Sequence, residues 1–152
     1  MTDVGAAVAA IEDARAARAR LADMVRCPAY MHALFGAMYG ALVAAQAAPA
    51  VWVFVVEGAV VLAAAAMYVW TRRRLGMFVN GYRRGATRSV VAALLISFLI
   101  AMALAGWCKL ELHLIWPALV LGALMFAVGT WASVAWQRTY RRELLTTAAP
   151  AA

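Results

Sequence analysis

Residues 51–74 read VWVFVVEGAVVLAAAAMYVWTRRR. Between Val51 and Trp70 there is one charged side chain, Glu57, and the run then stops against three consecutive arginines. At 1.5 Å per residue, roughly 20 helical residues reach about 30 Å, the thickness of a bilayer's hydrocarbon core. Apolar side chains surround this helix on every side instead of forming one stripe, the pattern expected where lipid, not water, is the medium. The stretch predicts a transmembrane helix over 51–70 whose C-terminal end meets a phosphate surface.

Three further stretches have the same character, at 30–48, 89–107 and 114–136. The first two spans, 30–48 and 51–70, are separated only by a turn around Pro49, which predicts an antiparallel hairpin. Pro28 and Pro117 fall in first turns, where a missing backbone N–H leaves no bond unmade. Composition agrees: 67% of the 152 residues are hydrophobic and 14% charged, against roughly 45–50% and about 25% in soluble domains. The expectation is one all-α integral membrane domain over 1–152, a four-transmembrane-helix bundle preceded by an N-terminal amphipathic helix at the cytoplasmic surface or the interface.

Charge sets the direction of threading. Arg15, Arg18, Arg20 and Arg26 precede the first span, and Arg72, Arg73, Arg74, Arg83, Arg84 and Arg88 lie between the second and third. Arg138, Arg141 and Arg142 follow the fourth, while Lys109 alone falls elsewhere. Cytoplasmic loops carry the excess of Lys and Arg, so both termini are expected in the cytoplasm. Trp52, Trp70, Trp107, Trp116 and Trp136 sit near span ends, at the level that indole rings prefer. The net charge of +7 is then a match for anionic head groups, not for nucleic acid. Met1 to Ala10 has no positive charge and contains Asp3, unlike a cleavable signal. Abundant Arg and Ala beside scarce Lys point to a bacterial inner membrane.

Outside the spans, residues 4–26 form the expected amphipathic helix, with Ile11, Ala14, Ala17, Leu21, Met24 and Val25 on one side. The loop 71–88 places Leu75, Met77, Phe78, Val79 and Tyr82 between two arginine clusters. That arrangement suits a turn dipping into the acyl boundary while its arginines meet anionic lipid. Residues 143–152 read as a flexible tail.

Polar groups within the spans are the candidate functional residues. Glu57 lies about 10 Å along its helix from the outer end, and intramembrane ionisable groups pair with a neighbour, face a bundle interior or line a proton or ion path. In a tight hairpin it falls level with Tyr39, which makes Glu57 and Tyr39 the candidate proton or cation site. His32, Gly36, Gly40 and Ala44 share one face of the first span, with Gly36 and Gly40 in GxxxG spacing, and small residues spaced by four let helix backbones approach closely. Gly122 and Gly129 repeat the theme more loosely in the fourth span. Ser97, Thr130 and Ser133 are expected to bond to helix carbonyls or to glue helices together. Cys27 and Cys108 fall at opposite ends of the bundle, which excludes a disulfide between them.

No paired carboxylates, HExxH, CxxC, GxSxG or P-loop occur in the chain. Hydrolytic, zinc and redox chemistry thus find no motif, and neither a cofactor nor a metal is expected. The leading expectation is a non-enzymatic structural or regulatory membrane component. Its basic cytoplasmic face would contact anionic lipid or a soluble protein partner, and its first span would pack within the bundle or in a homo-oligomer. The alternative is a small transporter or channel subunit using Glu57, and a membrane enzyme acting on a lipid or isoprenoid stands third.

Overall fold

The computed structural model describes residues 2–24, 27–75 and 87–146, and all regular structure in them is helical. The order is α1 (Thr2–Met24), α2 (Ala29–Ala44), a 3-10 turn (Ala45–Ala47), α3 (Ala50–Leu75), α4 (Thr87–Leu110) and α5 (Trp116–Thr146). Three of these, α3, α4 and α5, are long and apolar enough to cross a membrane. The chain is a membrane protein by that measure.

Proline sets two of the boundaries. Pro28 stands before α2 in extended backbone at φ −61° and ψ 150°, and its carbonyl accepts the Met31 N–H at 3.0 Å. Pro49 disfavours helical backbone at the residue before it, and Ala48 is extended at φ −88°, ψ 166°. The chain tightens into the 3-10 turn just ahead of that break, with Ala48 N–H donating to Ala45 O at 2.9 Å. The first expected span, 30–48, thus becomes a 16-residue α-helix plus a 3-10 turn, and α2 alone is about 24 Å long. At the other extreme, α5 runs past Trp136 to Thr146 and takes in Glu143, expected as the start of the tail; residues 147–152 of that tail lie outside the described residues. Gln137 to Thr146 contains neither Gly nor Pro, so nothing local stops the helix.

The helices gather round α5. Its buried positions, Ala118, Gly122, Met125, Gly129 and Ala132, alternate in steps of four and three, the spacing that keeps one seam facing its neighbours. On α2 the buried residues include His32, Gly36, Gly40 and Val43, and on α4 they include Leu94, Ala101 and Ala105. The central cluster joins Val43, Leu94, Ala101, Ala105, Ala118, Met125 and Ala132, with Phe35, Tyr39 and Phe98 packed against it. Small side chains lie inside and large ones outside: Phe54 is 71% exposed, Leu62 73% and Trp131 68%. In water such a surface would aggregate; in lipid it is the surface the solvent wets.

Two turns meet at the end opposite the arginines. Between α4 and α5, Leu114 N–H donates to Cys108 O at 3.0 Å, and His113 takes a left-handed backbone at φ 54°, a conformation that His accepts more readily than most residues. Lys109, in the last turn of α4, donates its Nζ to Ala48 O at 2.6 Å, so the one cation outside the arginine clusters ties the α2–α3 turn to α4. At the other end α1 is exposed over most of its length, including Val8 and Ile11, whereas Ala22 is buried near α5. Of the apolar side expected for residues 4–26, Ile11, Ala14 and Ala17 are exposed, while the Leu21 and Met24 side chains and Val25 lie outside the described residues. Replacing Lys109 by Met removes a charge-assisted bond to the Ala48 carbonyl, and is expected to lower stability in mixed micelles by about 1–2 kcal/mol, measured by denaturing-detergent titration of the circular dichroism.

Candidate functional site

The α2–α5 seam brings together the residues that the sequence sets in helical register. A Cβ added at Gly36 would collide with Thr130 Oγ1 and the Phe126 carbonyl. One added at Gly40 would lie 2.8 Å from Gly122 O, and one at Gly122 would lie 2.8 Å from the Ala44 Cβ. Both are far inside van der Waals contact, so the backbones touch where only glycine fits. Thr130 Oγ1 donates back to Phe126 O at 2.8 Å, which keeps its hydroxyl satisfied within the helix while its bulk fills the hollow over Gly36.

One turn nearer the N-terminus of α2, His32 is buried and its Nδ1 shares a 2.8 Å hydrogen bond with Ser133 Oγ on α5. Ser133 also lines a cleft of about 210 Å³ with Phe35, Val90, Val91, Leu94, Ala132 and Trp136. The cleft lies where α2 and α4 diverge over α5. Trp136 stacks on Tyr140 with ring centroids 5.3 Å apart, and its indole N–H is buried without a partner among the described residues. The lining is apolar apart from the serine hydroxyl, so the cleft offers packing space and no acid–base pair.

Tyr39 and Glu57 do not form a pair. Tyr39 packs its ring 5.1 Å from Phe35 and 5.2 Å from Phe98, edge to face, inside the angle between α2, α4 and α5. Glu57 is exposed on α3, and no hydrogen bond or ion pair from another described residue reaches it. The physical reason lies in α3 itself: its half-buried residues Val53, Val56, Val60, Ala63, Met67 and Trp70 occupy one side, and Glu57 falls on the flank of that stripe. Among the described residues no group of three His, Cys, Asp or Glu side chains comes together.

Arginines collect at the ends of α3 and α5 and at the start of α4. Arg72, Arg73, Arg88 and Arg138 are exposed; the Arg74 side chain and Arg83 and Arg84 lie outside the described residues, as do Met77, Phe78, Val79 and Tyr82 of the 71–88 loop, whose Leu75 ends α3. Arg141 behaves differently. Its Nε donates to Ala22 O at 3.0 Å and its guanidinium reaches Asp23 Oδ1 at 3.5 Å, so it fastens the C-terminal end of α1 to α5. Sequence reasoning groups Arg141 with its neighbours and gives Ser133 and Lys109 no particular partner. The signal for Ser133 is present in its spacing, since it continues the Gly122–Gly129 stripe opposite His32. Arg141 and Lys109 act across 119 and 61 residues of chain, and no local pattern marks such partners.

No protein-family model matches this chain, and neither the curated proteins nor the solved structures contain a match.

The seam yields a contrast. Gly36→Ala and Gly40→Ala should each cost about 1–3 kcal/mol through overpacking against backbone, whereas Gly58→Ala and Gly106→Ala, with open space around them, should be neutral or stabilising by up to about 1 kcal/mol. Unfolding of the four variants in mixed micelles, followed by tryptophan fluorescence, separates the two pairs.

Proposed function

We propose that this protein is a four-span component of a bacterial inner membrane, with both termini in the cytoplasm. In this reading it has a structural or regulatory role instead of an enzymatic one, and its basic cytoplasmic face holds anionic lipid. The observation that carries the reading is the exposure of Arg72, Arg73, Arg88 and Arg138 at the same end of the helices to which Arg141 fastens α1. A juxtamembrane Arg near an anionic surface contributes about 1 kcal/mol, and a lipid phosphate can be shared by guanidinium groups on neighbouring helices.

Two further points support the proposal. Together α2 and the 3-10 turn extend about 30 Å, enough for the hydrocarbon core, and α2 lies against α5 from His32–Ser133 to Ala44–Gly122. A helix in backbone contact with a spanning helix over that length shares its depth. The apolar side of α1, exposed at Ile11, Ala14 and Ala17, suits the acyl boundary beside the arginines, where amphipathic helices lie. Glu57 on the exposed flank of α3 gives a single protomer no enclosed path past it, and the transporter reading draws no support from this arrangement.

The test has two parts. Reporter fusions at the two ends should both report cytoplasmic placement. Adding phosphatidylglycerol to the protein in neutral detergent should raise its melting temperature, and replacing Arg72, Arg73, Arg88 and Arg138 together by Gln should abolish that shift while leaving the melting temperature in neutral detergent unchanged. A phosphatidylglycerol shift that survives the four substitutions would refute the lipid role.

A further inference from the structure

The third helix has one half-buried side and is exposed around the rest of its circumference. Val53, Val56, Val60, Ala63, Met67 and Trp70, spaced by three and four, are half-buried, and the neighbours of α3 are α2 and the 3-10 turn. Displaced by one residue along the helix, Phe54, Glu57, Val61, Ala64 and Tyr68 repeat the same three-and-four spacing, and all five are exposed. A repeat of this kind keeps one line of side chains facing one neighbouring helix. Among the described residues no helix of this chain lies over it, and none of the apolar window of α3 is buried.

Glu57 specifies what covers that line. It stands five residues past Trp52, about 7 Å deeper at 1.5 Å per residue, so an indole at the head-group level puts the carboxylate inside the hydrocarbon. Ionisable groups there almost always face a bundle interior or a water-filled cavity, or pair with a neighbour, and Glu57 has neither cover nor partner among the described residues. Three polar side chains of the spans are engaged elsewhere: His32 is bonded to Ser133, Thr130 to Phe126 O, and Lys109 holds Ala48 O at the outer turn. His113 lies in the outer loop, above the depth of Glu57. A second copy packed symmetrically along this line would bring Glu57 against Glu57 and supply no cation.

We infer that the Phe54–Glu57–Val61–Ala64–Tyr68 line of α3 is a docking seam for a transmembrane helix of a different membrane protein, one that carries a Lys or Arg at the depth of Glu57. The ion pair sets the register and Ala64 admits the partner's backbone below it. This inference builds on the four-span placement proposed above and names the class of partner that a structural or regulatory component would hold.

The experiment uses the full chain with a donor dye in phosphatidylcholine vesicles, and acceptor-labelled single-span Leu/Ala peptides bearing Lys, Leu or Glu seven residues from the outer end. The Lys peptide should associate at about tenfold lower mole fraction than the Leu peptide, and the Glu peptide should not exceed the Leu peptide. Glu57→Gln should remove the advantage of Lys, and Glu57→Lys should transfer it to the Glu peptide. Equal binding of the Lys and Leu peptides, an advantage that persists in Glu57→Gln, or self-association of the chain that Glu57→Gln abolishes would each overturn the proposal, the last by making the occupant a second copy. The phosphatidylglycerol shift, read on the same Glu57→Gln protein, should be unchanged; if the peptides fail and that shift stands, the seam falls and the basic lipid face remains.

Discussion

Backbone contact between α2 and α5 is the constraint on which the rest of the structure depends. Burial of apolar surface, which holds a soluble bundle together, supplies no driving force here, because the alternative environment is itself hydrocarbon. What remains is van der Waals packing, and its strength rises steeply as two surfaces approach. Gly36, Gly40 and Gly122 remove the side chains that would hold the helices apart, and the gap closes until a carbonyl of one helix lies where a methyl group would otherwise stand. The alanines of the core, Ala101, Ala105, Ala118 and Ala132, extend the same principle to α4. Beside that contact the bond from the buried His32 to Ser133 orients α2 about its own axis as well as along it.

The arrangement is graded from this centre outward. The α2–α5 pair is closest, α4 lies along the opposite side of the seam, and α3 is held by one edge and by the turn that Pro49 and Lys109 define. A helix attached by one edge has the other edge available to a neighbour, and the single carboxylate of the membrane interior sits on that available edge. The arginine-bearing end is built from charge instead: Arg141 fastens α1, and Arg72, Arg73, Arg88 and Arg138 project.

Much of this was legible in the sequence, and the limits follow from the physics of each signal. Helical class and membrane character are written in long apolar runs, because they depend on composition summed over about 20 residues. The register of Gly36 and Gly40 is written in their spacing, since residues four apart share a face whatever the helix meets. The identity of the neighbour is not so written: the same spacing serves any close-packed helix, and the chain sets it against Gly122, Phe126 and Thr130. Glu57 and Tyr39 illustrate the opposite case. Equal depth in a hairpin is a statement about height, and it leaves rotation free; α3 turns its half-buried stripe toward α2 and leaves Glu57 on the flank. The end of α5 escapes a reading of hydropathy because the apolar signal stops at Trp136 while the helix does not, hydrophobicity and helicity being separate properties of its final turns.

That continuous α5 has a mechanical consequence. Its 31 residues form one rod of about 46 Å, joined near one tip to the loop where His113 takes its left-handed turn and near the other to α1 through Arg141. A rod without a hinge converts tilt into travel: leaning by about 10° sweeps its far tip sideways by about 8 Å for that length. Thickening or thinning of the bilayer, which membrane helices accommodate by tilting, would thus be magnified into a lateral displacement of the end that carries α1. By the geometry of the rod alone, a small change of tilt becomes a large movement at its tip.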